Sequence, residues 1–330
     1  IIFYTYNYCF HIFSIHITIY YNIFIIRGER KMKINRIIFF LIFSYLLIYG
    51  YTHIAIIANF TIQTSTLIAN QLFPSLFFFM LFITLAQKLN ILDVFNYGLF
   101  KLTKKNQLPT LIYLFSILSG YPTNAKIIAN AKKQKQLSLN ASQKLICIAH
   151  HASFSFVVYV VGELYFHSLK IGLLLELAHV LSTFIFFLFS FRQINLIPVS
   201  LKNYEDHFKH HDFLILFTNS IKECIFAFLF IYTSMLFSYI FFESLPSFLF
   251  KEYLRGLFEF SSGCLSMASS SLPLLLRLLF VEFYLSFGGL SIFIQLLQFD
   301  QFAFFPYLKF RFIHAFLSQM ILLILFKLTF

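Results

Sequence analysis

Apolar runs of about 20 residues recur from one end of this 330-residue chain to the other. A helix rises about 1.5 Å per residue, so each run is long enough to cross a hydrocarbon core of about 30 Å. The runs are continuous rather than alternating, and only helices or closed barrels satisfy their backbone in lipid. Helices are therefore the expected spanning elements. Mean hydropathy is +0.80, and charged residues make up 12%, against about 25% in soluble domains. The expected fold is all-α, a polytopic transmembrane helix bundle. The longest polar stretch, 192–212, is too short for a separate soluble domain.

The formal net charge is +12. On a soluble protein that surplus suggests nucleic acid. Here the Lys and Arg residues cluster between apolar runs, where positive charge marks the cytoplasmic side, and no nucleic-acid partner is expected. Phe numbers 50 and Trp is absent, a bias that fits apolar codons of an AT-rich genome rather than a binding device. Cys9, Cys147, Cys224 and Cys264 are widely spaced and form no CxxC pair, so neither a disulfide framework nor a metal site is expected, and no cofactor.

Residue 1 is Ile, and the first plausible initiator is Met32, in "RGERKMKINRIIFF". The peptide RGERK is what a purine-rich ribosome-binding site yields when translated. Residues 1–31 are read as upstream sequence or an N-terminal extension, the alternative being an extra helix over 1–26. No small-residue cleavage site follows the first run, which argues against a signal peptide. N-terminal sequencing of the native protein should begin at Met32; a longer product would restore the extra helix.

The expected spans are 36–58, 72–89, 141–161, 170–191, 212–242, 278–299 and 306–326, with an interfacial amphipathic helix over 93–105. Two apolar segments are interrupted, 108–131 and 254–276. The first carries Lys101, Lys104 and Lys105 before it and Lys126, Lys132, Lys133 and Lys135 after it. A full crossing would strand one cluster outside, whereas a re-entrant hairpin keeps both on one face. The second, "EFSSGCLSMASSSLP", starts from the opposite face by the same count. Arg311 and Lys309 mark the inner end of the last span. Two membrane halves result, 32–198 and 213–330, joined by a cytoplasmic loop, 199–212. The halves are expected to be inverted repeats with a binding site between them.

Non-helical backbone at membrane depth is tolerated only where protein or a watery cavity surrounds it. Ser119, Gly120, Tyr121, Pro122 and Asn124 therefore mark a candidate solute site. The helix starting after Pro122 offers a positive dipole end to an anion, and Lys126 adds a full charge. The structural alternative is a kink, with Lys126 snorkelling to the surface. His150, His151 and Ser153 are candidates because intramembrane ionisable residues are functional by default; packing histidines are the alternative. Glu259, Ser261, Ser262 and Gly263 form a second break, and Gly288, Gly289, Ser291 and Gln295 a third, where the glycines also suit close helix approach. "EDHFKHHD" in the polar loop reads as solvated rather than metal-binding. No hydrolase, zinc-protease or P-loop motif is present, and Asp93, Asp206, Asp212 and Asp300 fall at segment edges, so no enzyme activity is expected.

The blocks "FPSLFFFMLFITLAQ", "SGYPTNAKIIA", "LICIAHHASFSFVVYVVG", "FEFSSGC" and "SFGGLSIFIQLLQF" resemble, in order, those of the bacterial sporulation integral membrane protein YlbJ family, over about residues 36–326. That family belongs to the nucleoside-recognition, or Gate-domain, membrane proteins. The resemblance implies two Gate-type halves and transport of a small solute during spore maturation, across the bacterial cell membrane or one surrounding the forespore. Gly120, Tyr121, Pro122, Ala125 and Lys126 match the family's "GYPxGAK" block. Asn124 replaces its glycine, His150 and His151 stand where Asn is usual, and Phe154 where Pro is usual. The leading expectation is a secondary permease for a small, anionic solute, with the bilayer as its surroundings and an unassigned coupling ion. The alternative is a non-transporting scaffold of spore assembly.

Overall fold

The structure, a computed structural model, describes residues 32–89, 91–103, 105–191, 213–247, 250–297 and 303–330. The readings of 1–31 and of the 199–212 loop, with its "EDHFKHHD" stretch, lie outside the described residues. Two compact units are present: one ends at Ile54 and contributes α1 (Met32–Thr52), the other begins at Ala55. The expected span 36–58 is thus two helices, divided at His53, after which α2 (Ile54–Leu67) begins.

Every described element is helical. A π-turn over Ile68–Leu72 leads into α3 (Phe73–Lys88), which carries Pro74 in its first turn. α4 (Ile91–Thr103) is the amphipathic segment. It buries Leu92 and Asn96 and turns Val94, Phe95 and Leu102 outward. The first interrupted segment forms α5 (Leu108–Ser119) and α6 (Thr123–Lys133), which pack against each other. At 12 and 11 residues they are about 18 and 16 Å long, too short to span. Next come α7 (Leu139–Ala149) and α8 (Phe156–Tyr165), the latter wound as a π-helix. The expected unbroken span 141–161 is therefore broken between them, at His150–Ser153. α9 (Leu169–Phe191) closes this stretch.

The second stretch starts with α10 (Phe213–Ser244). The short pair α11 (Lys251–Phe258) and α12 (Phe260–Ala268) follows, divided at Glu259. Then α13 (Leu274–Phe287) breaks at Gly288 into α14 (Gly289–Leu296), and α15 (Phe304–Thr329) ends the chain. Among the described residues α9, α10, the α13–α14 run and α15 are long and apolar enough to cross a membrane, and the number rises to as many as six if each of two bent pairs counts as one span.

The bundle is inside-out relative to a soluble protein. On α15, Phe305, Phe312, Phe316, Met320 and Ile324 are exposed while Tyr307, Arg311, His314, Ser318 and Leu322 are buried. The buried set recurs every three or four residues, so one polar stripe faces inward and an apolar face meets the lipid. Without a hydrophobic drive between helices in lipid, close backbone contact and polar cross-links hold such a bundle. A Cβ on Gly162 would run into Gly172 of α9, and one on Gly263 into Gly256 of α11. Gly263→Leu is accordingly expected to cost about 1–3 kcal/mol through overpacking. It should lower the melting temperature of the detergent-purified protein, whereas Gly98→Ala, with nothing within 4 Å of the added carbon, should not.

Candidate functional site

Four helix interruptions come together inside the bundle. At the first, Gly120 has φ +63° and the Tyr121–Pro122 peptide is cis. A side chain at Gly120 would collide with the backbone of Ser153, so the first and second interruptions touch. At the second, His150, His151, Ala152 and Ser153 are all buried. Ser153 Oγ accepts from the Phe156 N–H at 3.2 Å, and Asn124 Nδ2 donates to the His151 carbonyl at 3.1 Å. At the third, Glu259 caps α12: Oε1 accepts from Ser261 N at 3.1 Å and Oε2 from Ser262 N at 2.6 Å. At the fourth, Gly288 and Gly289 both have positive φ, +87° and +73°, a conformation glycine adopts without steric cost.

A cavity of about 30 Å³ lies at their junction, lined by Tyr121, Ala152, Ser153, Phe260, Ser261, Ile292 and Gln295 with Leu72, Leu76, Phe156, Ile231 and Met235. Each interruption, or the first turn beyond it, contributes. Gln295 Nε2 donates to Ser234 Oγ at 3.0 Å. Ser119, Asn124 and Ser291 are buried but do not line this cavity. Ser262 serves the Glu259 cap, and Gly263 serves packing against Gly256.

Lys126 faces a different cavity, of about 520 Å³, bounded chiefly by α3, α4, α5 and α6. Its ammonium meets Glu223 Oε2 at 2.5 Å, while Lys88 meets Glu223 Oε1 at 2.9 Å. Two lysines thus share one carboxylate, and Asp93 on the same wall brings the lining to charge balance. Gln87, Asn130, Gln134, Gln136 and Asp93 make the remaining wall polar. The α6 N-terminus is partly satisfied from within the protein: Asn124 N donates to the Gly120 carbonyl at 3.1 Å, and Ala125 N to Asn124 Oδ1 at 2.9 Å.

Arg311 corrects the sequence reading most. Expected as a flanking charge at the inner end of the last span, it is 0% exposed. Its guanidinium donates to Tyr121 Oη, to the His150 carbonyl at 2.7 Å and to the Phe287 carbonyl at 3.3 Å. One side chain therefore ties the first, second and fourth interruptions together. His150 Nδ1 lies 2.7 Å from Tyr307 Oη beside it. Four further ionisable residues, absent from the sequence-derived candidates, are buried nearby: Glu176 and His179 on α9, Glu282 on α13 and His314 on α15. A readable signal existed. Tyr307, Arg311, His314 and Ser318 recur at helical spacing within an apolar run, as do Glu282 with Ser286 and Glu176 with His179. Among the described residues, no group of three His, Cys, Asp or Glu is arranged to hold a metal.

No family model, curated protein or solved structure matches this chain. Function must come from the site itself.

Arg311→Met is expected to orphan two buried carbonyls, those of His150 and Phe287, at about 1–3 kcal/mol each. Arg311→Lys keeps the charge but loses the fork that reaches three acceptors. Both should lower the melting temperature of the purified protein. Full rescue by Lys would show that charge, not geometry, matters.

Proposed function

We propose that this chain is a permease passing a small solute across a bacterial membrane through the junction of its four interruptions. The observation that carries the reading is the convergence of Tyr121, Ser153, Ser261 and Gln295 on one buried cavity. Broken backbone inside a bundle is costly, and proteins keep it where it lines a path or a site. The order helix, short pair, broken helix, long helix occurs twice, as α3 to α9, where α4 intervenes before the short pair, and as α10 to α15. We read the two as inverted, Gate-type repeats. At about 30 Å³ the junction holds roughly one water, so this is an occluded arrangement and passage needs the short helix pairs to part.

The side cavity of about 520 Å³ falls within the range of about 300–1,000 Å³ of small-molecule sites. Its two lysine ammoniums offer donors to an anion that displaces Glu223 from them. With the likeness to a sporulation family, a dicarboxylate such as dipicolinate is the leading candidate solute, and a nucleoside-like molecule the next. No nucleotide-binding motif occurs in the sequence, so a gradient or trapping on the far side would supply the drive. A scaffold of spore assembly that transports nothing is the competing function.

Purified protein in vesicles should take up dipicolinate. Lys126→Ala and Lys88→Ala should each reduce uptake about tenfold, the equivalent of about 1.4 kcal/mol of lost binding. Spores carrying Lys126→Ala at the normal protein level should accumulate less of it. Unchanged uptake in both variants would remove the anion site, and no uptake of any candidate by the wild type would favour the scaffold.

A further inference from the structure

Glu282 is 0% exposed and sits where α13 packs against α9 and α15. Ser286 Oγ donates to its Oε1 at 2.9 Å, and His179 Nδ1 lies 3.3 Å from the same oxygen. Its second oxygen, Oε2, has no hydrogen-bond partner among the described residues. Glu176, one turn before His179 on α9, is 5% exposed with neither oxygen partnered. A carboxylate held this way inside a membrane bundle, without a cation against it, is far more stable with a proton on it.

The surroundings provide a route for that proton. His179 Nδ1 also lies 3.2 Å from Ser286 Oγ, and Ser286 meets Ser318 Oγ at 2.7 Å. The His179 ring centre is 4.9 Å from that of His314 and 5.6 Å from that of His151. Imidazoles hydrogen-bonded nitrogen to nitrogen have centres about 5 Å apart, the separation of His179 from His314, and His151 stands slightly beyond it. The Nε2 atoms of all three rings have no partner among the described residues. Most buried imidazoles have both nitrogens partnered by protein or water, and neighbouring rings whose second nitrogens face no protein partner can pass a proton between them.

The cluster also touches the machinery of the breaks. His151 belongs to the second interruption, and its carbonyl holds Asn124 beside the first. Ser286 and Phe287 immediately precede the fourth, and their carbonyls meet His314 at 3.3 Å and Arg311 at 3.3 Å. Other charged or titratable groups around Glu282 are Glu176 on α9, Arg311 on α15, His150 at the second interruption, Tyr121 at the first and Cys264 on α12. α11, the remaining neighbour of α13, meets it through Tyr253 and Gly256 at Tyr284. With Arg311 bound to three acceptors and Glu259 engaged as a helix cap, the ionisable groups left over are those of the Glu282, Glu176 and histidine set.

We propose that Glu282, with His179, is a reversible proton-binding site inside the bundle and that this proton is the coupling ion of transport. One proton joins the Glu282 carboxylate, giving the neutral acid, and leaves by way of His179 toward His151 or His314. No electron moves and no other bond changes. The proposal rests on the permease reading and supplies the ion that reading leaves unassigned.

The test uses the full chain in lipid vesicles. Infrared difference spectra between mildly acidic and mildly alkaline buffer should show a protonated-carboxyl band that titrates in the wild type and is lost in Glu282→Gln. An imposed inward proton gradient should raise wild-type dipicolinate uptake about tenfold. Glu282→Gln should lose that stimulation while still exchanging internal for external dipicolinate, which needs no net proton movement. His179→Gln should slow the gradient-driven rate more than the exchange rate. A carboxyl band that does not titrate, or a Glu282→Gln protein with the wild-type response to the gradient, overturns the proposal. If the band titrates but the wild type moves no dipicolinate with or without a gradient, the permease reading fails and the coupling role falls with it, leaving a proton site of another purpose. Melting temperatures identify a variant that merely misfolds, and Glu176→Gln then serves as the second variant, expected to shift the titration without abolishing the band.

Discussion

Each interrupted helix leaves carbonyls without the N–H that would have followed one turn later, and lipid offers no water in its place. Arg311 meets much of that demand from a single position. Its guanidinium reaches the carbonyls before the second and fourth breaks and the tyrosine of the first. Arginine suits the task because its donors are fixed in a plane and point in different directions. The same contacts place a permanent charge in the bundle, and the neighbouring aromatic rings of Tyr121 and Tyr307, 5.8 and 5.5 Å from the guanidinium carbon, soften it. The breaks, the buried polar stripe of α15 and the ionisable cluster beyond it are therefore one electrostatic arrangement, not separate features.

The sequence made the first, third and fourth breaks readable for a simple reason. Gly120 with Pro122 and Gly288-Gly289 are residues whose backbone preference ends a helix in most contexts, and the polar Glu259, Ser261, Ser262 and Gly263 stand out inside an apolar segment. The apolar runs likewise fixed the long helices α9, α10 and α15 to within a few residues. The second break was hidden. "AHHASFS" contains no Gly or Pro, and its helix is interrupted by tertiary contacts: Arg311 takes the His150 carbonyl, Asn124 takes that of His151, and Ser153 caps the next turn. Only Ser153, as a possible N-cap, hinted at it.

Arg311 was misread for a related reason. Beside Lys309 it looks like a flanking charge, and the two differ only by which side of α15 they occupy: Lys309 is exposed and Arg311 is not. Composition cannot separate them, but phase can, since Arg311 is in register with Tyr307, His314 and Ser318. Glu176, His179 and Glu282 were overlooked likewise, because the α9 pair and Glu282 join into one cluster only when α9, α13 and α15 pack.

The two short helix pairs treat their helix ends differently, and this bears on where an anion would go. At α12 the protein's own Glu259 occupies the positive helix end with both oxygens on backbone N–H groups, so a second anion there would meet a like charge. At α6 the corresponding place is held by the neutral Asn124 side chain, and Lys88 and Lys126 stand alongside, sharing Glu223. A helix end attracts an anion by a fraction of a charge, and a lysine by a whole one. Within the permease reading an anionic solute therefore meets the first pair before the second, and the path from the lysine-lined cavity toward Tyr121 runs along α6. The central junction then serves as the narrow part of the route, opened by movement of helices that Arg311 otherwise pins, while the charge that sets the preference for an anion lies at its approach.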